Sequence, residues 1–269
     1  MSKNYLKIAL IALIVGVIYI PTFIWMWGRW FAEESYYSHG ILMPLVTIFL
    51  ILFKKDELKN LKPIPNKIGI LLILIGAMIY LISAWMRVYF TSGLSLILLI
   101  LGLVLYFLGK VYLRKLLYPI LFLLFMVPMP MVLVANLTVK LKLFATQCAT
   151  AVLNKIGIFA VRDGSIIRTM HSYMMVEAPC SGLRSLISLL ALGALIAYFM
   201  KTSVVKKWIL VFLSMPIAIC ANVFRVSLLT AVNEIYGKEF AMGWFHDFSG
   251  FLLFFVALIG LMVTKKLVE

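Results

Sequence analysis

The sequence predicts an all-α polytopic membrane protein with about eight transmembrane helices, and three observations carry that expectation. Of its 269 residues, 64% are hydrophobic, against about half in a soluble domain, and the mean hydropathy is +1.09. Apolar runs close to the ~20 residues needed to cross a bilayer recur from end to end. Lys and Arg collect in short segments between these runs, as the positive-inside rule requires of cytoplasmic loops.

Taken in order, the predicted spans lie near residues 6–27, 38–53, 68–86, 92–109, 115–134, 181–200, 208–229 and 247–264. The first follows Lys3 and Lys7 and reaches Trp27. It is too long for a signal-peptide core and lacks a small-residue cleavage site, so it reads as an uncleaved span. The second is short, and only Arg87 with a few polar residues divides the third from the fourth. Basic residues fall on one side at alternate loops: Lys54 to Lys67, Lys110 to Lys115, Lys201 to Lys207, and Lys265 with Lys266. With the termini these hold 15 of the 25 Lys and Arg. The expected arrangement is one integral domain over 1–269 in the cell (inner) membrane, both termini cytoplasmic.

The net charge of +15 therefore faces anionic lipid, and nucleic acid is not an expected partner. No His/Asp/Glu cluster has metal-ligand spacing and no glycine-rich phosphate loop occurs, so no cofactor or metal is expected. Cys148, Cys180 and Cys220 contain no Cys-x-x-Cys pair, which argues against a thiol–disulfide oxidoreductase. Their odd number leaves at least one thiol free in any monomer.

Residues 135–179 form an extracytoplasmic insert before span six. From Asn136 to Ile156 apolar residues recur at helical spacing with Lys140, Lys142 and Lys155 between them. An amphipathic helix in the outer interface fits, and so does one partly inserted and packed on the bundle. Phe159 to Val176 is rich in β-branched and aromatic residues around Asp163-Gly164, the pattern of a small β-hairpin leading into Cys180.

Three reactive side chains reach one level. Arg225 is 17 residues beyond Trp208, about 25 Å along a helix axis, near the outer boundary of a ~30 Å hydrocarbon core. Cys180 and His246 each stand at the outer start of a span. Singly, Cys180 reads as a small filler, Arg225 as a snorkelling cation and His246 as an interfacial histidine. Together they make the inventory of acyl transfer through a thioester. Pro179 and the amides of Ser181, Gly182 and Leu183 suggest a helix N-terminus that lowers the thiol pKa and stabilises an oxyanion. In this scheme Arg225 holds developing charge, and His246 is the general acid and base. Asn222, three residues before Arg225, can brace it. Arg184 can pair with Glu177 or assist substrate binding. Glu177 and Asp247 can orient the imidazole or stand as solvated charges. His39 is a second outer histidine with a supporting or structural role, His171 reads as structural, and Cys148 and Cys220 read as fillers.

These residues match a family pattern. Cys180-Ser181-Gly182-Leu183-Arg184-Ser185, Asn222-Val223-Phe224-Arg225-Val226, and His246 followed by Gly250 closely resemble the exosortase/archaeosortase family. So do Tyr37-Ser38-His39-Gly40, Val127-Pro128-Met129-Pro130 and Asp163-Gly164. The resemblance covers about residues 36–255 and favours the bacterial exosortase branch, in a short form without an extra C-terminal domain. It implies a membrane transpeptidase that recognises a C-terminal sorting signal on exported proteins: a PEP-CTERM-like motif, a transmembrane helix and a basic tail. Such enzymes pass the cleaved protein to a lipid-linked or envelope acceptor. The family's proposed Cys, Arg and His set falls on Cys180, Arg225 and His246. The competing reading is a transporter or channel with Arg225 and Asn222 lining its path, but there is no internal repeat, and the polar residues gather at one face instead of the midplane.

Overall fold

The computed structural model describes residues 2–33, 35–177 and 179–269, with side chains described from residue 10 onward except at position 179. The side chains of Lys3, Lys7 and Pro179, each invoked above, lie outside the described residues. The chain divides into two compact units, 1–129 and 130–269.

The first unit is helical throughout its ordered elements. Helices α1 (Ser2–Ile18) and α2 (Ile20–Trp30) meet at a 63° bend, where one continuous span was expected. Pro21 explains the break, because it has no amide to give and its ring crowds the preceding turn. The hydroxyl of Tyr80 donates to the Ile18 carbonyl at 2.5 Å, so that group at the bend is satisfied. A 3₁₀ turn (Ser38–Ile41) leads into α3 (Leu42–Phe53), followed by the short α4 (Lys55–Lys59). The pair α5 (Ile68–Met86) and α6 (Tyr89–Phe107) packs closely at Gly69 and Gly102, where a Cβ would meet the partner backbone at 2.5 and 2.8 Å. Small residues that let backbones approach are how apolar helices associate in lipid. Buried hydroxyl pairs tie α2 to α6: Tyr19 to Ser95 at 2.8 Å and Thr22 to Ser92 at 2.5 Å.

The expected span 115–134 is interrupted. Helix α7 (Lys110–Phe122) passes into a 3₁₀ turn (Leu123–Met126), and a new helix, α8 (Met131–Lys155), starts only after Pro130. Pro128 and Pro130 remove two amide donors and push their predecessors to extended backbone. The segment expected to start as an insert at residue 135 is thus the body of a 25-residue helix.

In the second unit α8 buries a stripe of Val134, Thr138, Ala145, Thr146, Ala149 and Leu153. A three-stranded antiparallel sheet follows: β1 (Ala160–Asp163), β2 (Ile166–Thr169) and β3 (Tyr173–Met175) in the order β1-β2-β3. It has one strand more than the expected hairpin. Asn154 closes the outer edge of β1 by bonding both the amide and the carbonyl of Ala160 at 2.9 Å. Helices α9 (Leu183–Phe199), α10 (Val204–Tyr236), the short α11 (Lys238–Met242) and α12 (Trp244–Val268) complete the unit. Leu189, Leu210, Ala218, Ala221, Leu253 and Leu261 form the core shared by α9, α10 and α12.

Five helices among the described residues are long and apolar enough to cross a membrane: α5, α6, α8, α10 and α12, or six spans with the bent α1–α2 pair. Ser38–Phe53 and Leu183–Phe199 are shorter apolar helices. The chain is a polytopic helical membrane protein.

Candidate active site

Helix α10 is the spine of the site. At 33 residues it is about 50 Å long, well beyond the ~30 Å apolar thickness of a bilayer. Arg225 sits in its second half, and its last turns leave Asn233 and Glu234 to hold the sheet. The Glu234 carboxylate accepts from Thr169 Oγ1 at 2.5 Å, Ser172 Oγ at 3.0 Å and the His171 amide at 3.2 Å, and lies 2.8 Å from His171 Nδ1. Asn233 Nδ2 donates to the Tyr173 carbonyl at 3.0 Å. The sheet is thereby docked on α10 by a carboxylate and an amide, and its third strand runs directly toward Cys180. His171, read as structural, belongs to this clamp.

Cys180 lies in a 3₁₀ turn, Pro179–Ser181, ahead of α9. Its amide donates to the Glu177 carbonyl at 3.1 Å, and its own carbonyl accepts from Asn222 Nδ2 at 3.2 Å. Gly182 caps α9 in the left-handed conformation, φ +87°. A Cβ there would stand 2.7 Å from Cγ and Nδ2 of Asn222. Glycine is needed for the backbone angle and equally for the seat of Asn222. The thiol packs with Ala149, Leu153, Val176 and Val226 and is buried.

The sulfur of Cys180 lies 3.3 Å from His246 Nε2. Arg225 Nη2 lies 3.2 Å from the same nitrogen and donates to the His246 carbonyl at 3.3 Å. Arg225 Nε donates to Ser249 Oγ at 3.0 Å, and Ser249 Oγ donates to the His246 carbonyl at 2.6 Å. A guanidinium can only donate, and Arg225 Nη2 and the Cys180 sulfur converge on the same ring nitrogen of His246. Asp247 Oδ1 is 3.6 Å from Nδ1 and its side chain is 85% exposed, too far and too solvated for a hydrogen bond that would orient the ring.

Two expectations about the thiol change. Cys180 stands ahead of α9, separated from it by the kink at Gly182, so it is not in the first turn of that helix. The Leu183 amide is engaged by Ser181 Oγ at 3.4 Å and is not an open oxyanion donor. The thiol pKa is raised, not lowered. Burial pushes it up, the Arg225 guanidinium pulls it part of the way back, and Glu177 adds to the rise. A dry pocket disfavours the thiolate more than one partly screened cation favours it.

The other expected residues are placed as follows. Arg184 and Glu177 are exposed, with no ion pair between them among the described residues. His39 belongs to the first unit, in the turn before α3, its ring stacked 5.9 Å from Tyr37. Cys148 is half-buried and Cys220 is exposed, so Cys220 is not a core filler. Ser249, 1% exposed, is the residue that sequence reasoning missed. Its signal was there, since His246 and Ser249 share a helix face at i, i+3 as Asn222 and Arg225 do.

No similar protein is found among curated proteins, and none among solved structures. A family model described as Transmembrane exosortase (Exosortase_EpsH) matches residues 27–263. That match covers most of the chain and takes in the Cys180, Arg225 and His246 segments, and the chain belongs to the transmembrane exosortase family.

Proposed function

We propose that this protein is a membrane-embedded cysteine transpeptidase that cleaves C-terminal sorting signals from exported proteins through a thioester at Cys180. The observation that carries the reading is the approach of the Cys180 sulfur to within 3.3 Å of His246 Nε2. Thiol and base at this separation are the pairing needed for a sulfur nucleophile.

In this scheme the thiol proton passes to His246 Nε2 and the sulfur attacks the scissile carbonyl carbon. Arg225 is held to α12 along its Nε–Nη2 edge, leaving the Nη1 donors to face the oxyanion. Collapse breaks the C–N bond, and His246 Nε2–H protonates the departing amine. An acceptor amine, hydroxyl or water then gives its proton to His246 and attacks the thioester, releasing Cys180 as a thiol. Burial holds the Cys180 thiol above its ordinary pKa, so in this scheme loss of its proton accompanies attack. Asn222 fixes the Cys180 carbonyl, and Gly182 permits that contact. Ser181, Arg184 and Glu177 keep supporting or substrate-binding roles around the site.

The face of α12 from Asp247 past Phe251 and Phe255 to Leu258 is open and apolar. It begins one residue from His246 and suits a helical tail approaching from the lipid. The active site faces the extracytoplasmic side, in an eight-span arrangement with both termini inside and the whole chain acting as one domain. Exported proteins with a motif, a membrane helix and a basic tail are the substrates, and a lipid-linked or envelope group is the acceptor.

The test is the size shift of a tagged substrate in membranes carrying Cys180→Ala at matched abundance. Processing should be abolished. Full processing would remove covalent thiol catalysis and leave a transport or binding role.

A further inference from the structure

Arg225 has a requirement that the Cys180–His246 pair does not meet. A long, flexible side chain must present its guanidinium in one orientation, and among the described residues its hydrogen bonds go to α12. The orientation comes from α12. Ser249 Oγ takes Arg225 Nε at 3.0 Å and simultaneously donates to the His246 carbonyl at 2.6 Å. Arg225 Nη2 meets that same carbonyl at 3.3 Å and the ring nitrogen at 3.2 Å. Two adjacent donors of the planar fork therefore meet two acceptors on one turn of α12, which defines the guanidinium plane. Remove the hydroxyl and only Nη2 remains engaged, so the group is free to turn about its stem.

We propose that Ser249 is a positioning residue of the site, whose hydroxyl locks the Arg225 guanidinium against His246 and thereby aims its remaining donors at the reacting carbonyl. This rests on the transpeptidase reading for its catalytic consequence, but its geometric half does not. Ser249 touches neither substrate nor sulfur; it acts through Arg225. Its hydroxyl both accepts from Nε and donates to a backbone carbonyl, in a residue that is 1% exposed.

The experiment compares the full chain with Ser249→Ala, Ser249→Thr and Ser249→Val, in a Cys148→Ala/Cys220→Ala background. Thr and Val are nearly the same size, so the pair separates the hydroxyl from volume, and it keeps the test valid if the Ala variant inserts poorly. Two quantities are read: steady-state processing of a tagged substrate, and the substrate-free alkylation rate of Cys180 by iodoacetamide across pH. Ser249→Ala and Ser249→Val should lose about 10- to 100-fold in kcat with KM within about twofold, the range expected for a misaimed donor set. Ser249→Thr should stay within about threefold of the parent. The alkylation profile of Ala and Val should move toward higher pH, in the direction of an Arg225→Gln control, while Thr keeps the parental profile. Equal processing and equal profiles for Thr and Val would overturn the assignment. If the parent processes no tagged substrate yet the profiles separate as described, the positioning role stands and the transpeptidase reading falls.

Discussion

Replacing Gly182 with alanine should damage the site through two separable effects. The residue adopts φ +87°, and an L side chain in the left-handed region costs roughly 1–2 kcal/mol. The new Cβ would also stand 2.7 Å from Cγ and Nδ2 of Asn222 and 3.0 Å from its Cβ. Asn222 is 3% exposed and close to its own helix, so it cannot swing into solvent. It must retreat, and its 3.2 Å bond to the Cys180 carbonyl is then lost, at about 1 kcal/mol. The total is about 2–3 kcal/mol. Much of it falls on the turn that carries the sulfur, and a displacement there of a few tenths of an ångström lengthens the 3.3 Å approach to His246. Processing should drop by about 10- to 100-fold, since each 1.4 kcal/mol is tenfold in rate. The double-mutant cycle is the decisive assay. In an Asn222→Ala background the two 2.7 Å contacts and the bond to the Cys180 carbonyl are already gone, leaving the backbone strain and the 3.0 Å approach to Cβ, so Gly182→Ala should cost about 1 kcal/mol less there. Stability is read by thermal unfolding in detergent, and site geometry by Cys180 alkylation. An additive cycle, or a Gly182→Ala variant with parental processing, would refute the reasoning.

Other expectations follow from the same geometry. Arg225→Lys should lower kcat by about 10-fold or more at near-constant KM, because one ammonium cannot reach Ser249 Oγ and the His246 carbonyl as two prongs of a fixed fork; parental kcat would count against the two-donor role. Alkylation of Cys180 should rise with pH above the ordinary thiol range, since burial holds its pKa up; Arg225→Gln should move the rise to still higher pH by removing the cation that lowers it, and a shift to lower pH would contradict the assignment. Glu234→Gln should free the sheet from α10, costing about 1–2 kcal/mol from weakened charge-assisted bonds to Thr169, Ser172 and the His171 amide. Faster amide exchange at residues 166–175 would show it, and unchanged protection there would not fit. The exposed His171 ring should add little to the clamp beyond the backbone amide, which His171→Ala keeps, so that variant should leave exchange nearly parental.

The amino-acid sequence alone was sufficient for the class of the protein, and it singled out Cys180, Arg225 and His246 as candidates. Hydropathy settles helical membrane character because a backbone in lipid must satisfy its own polar groups, and only a few architectures do so. A thiol, an intramembrane arginine and a histidine are each expensive or reactive enough to stand out against an apolar background. Counting residues along a helix was enough to set Arg225 at one level with Cys180 and His246, because the rise per residue is constant. Periodicity could not locate the break at Val127–Pro130 or the bend at Tyr19, where local backbone chemistry overrides an uninterrupted apolar run. Nor could it distinguish an interfacial helix from the 25-residue α8, since an apolar stripe suits either. Which atoms meet is visible only in the folded chain. That the Arg225 fork closes on Ser249 and the His246 carbonyl, that Asn222 holds the Cys180 carbonyl, and that burial outweighs a cation in setting the thiol all depend on side-chain directions and distances of a few ångströms between separate helices. Hydrogen bonds and desolvation fall off over those distances, and sequence spacing along one helix carries no information about the helix it faces.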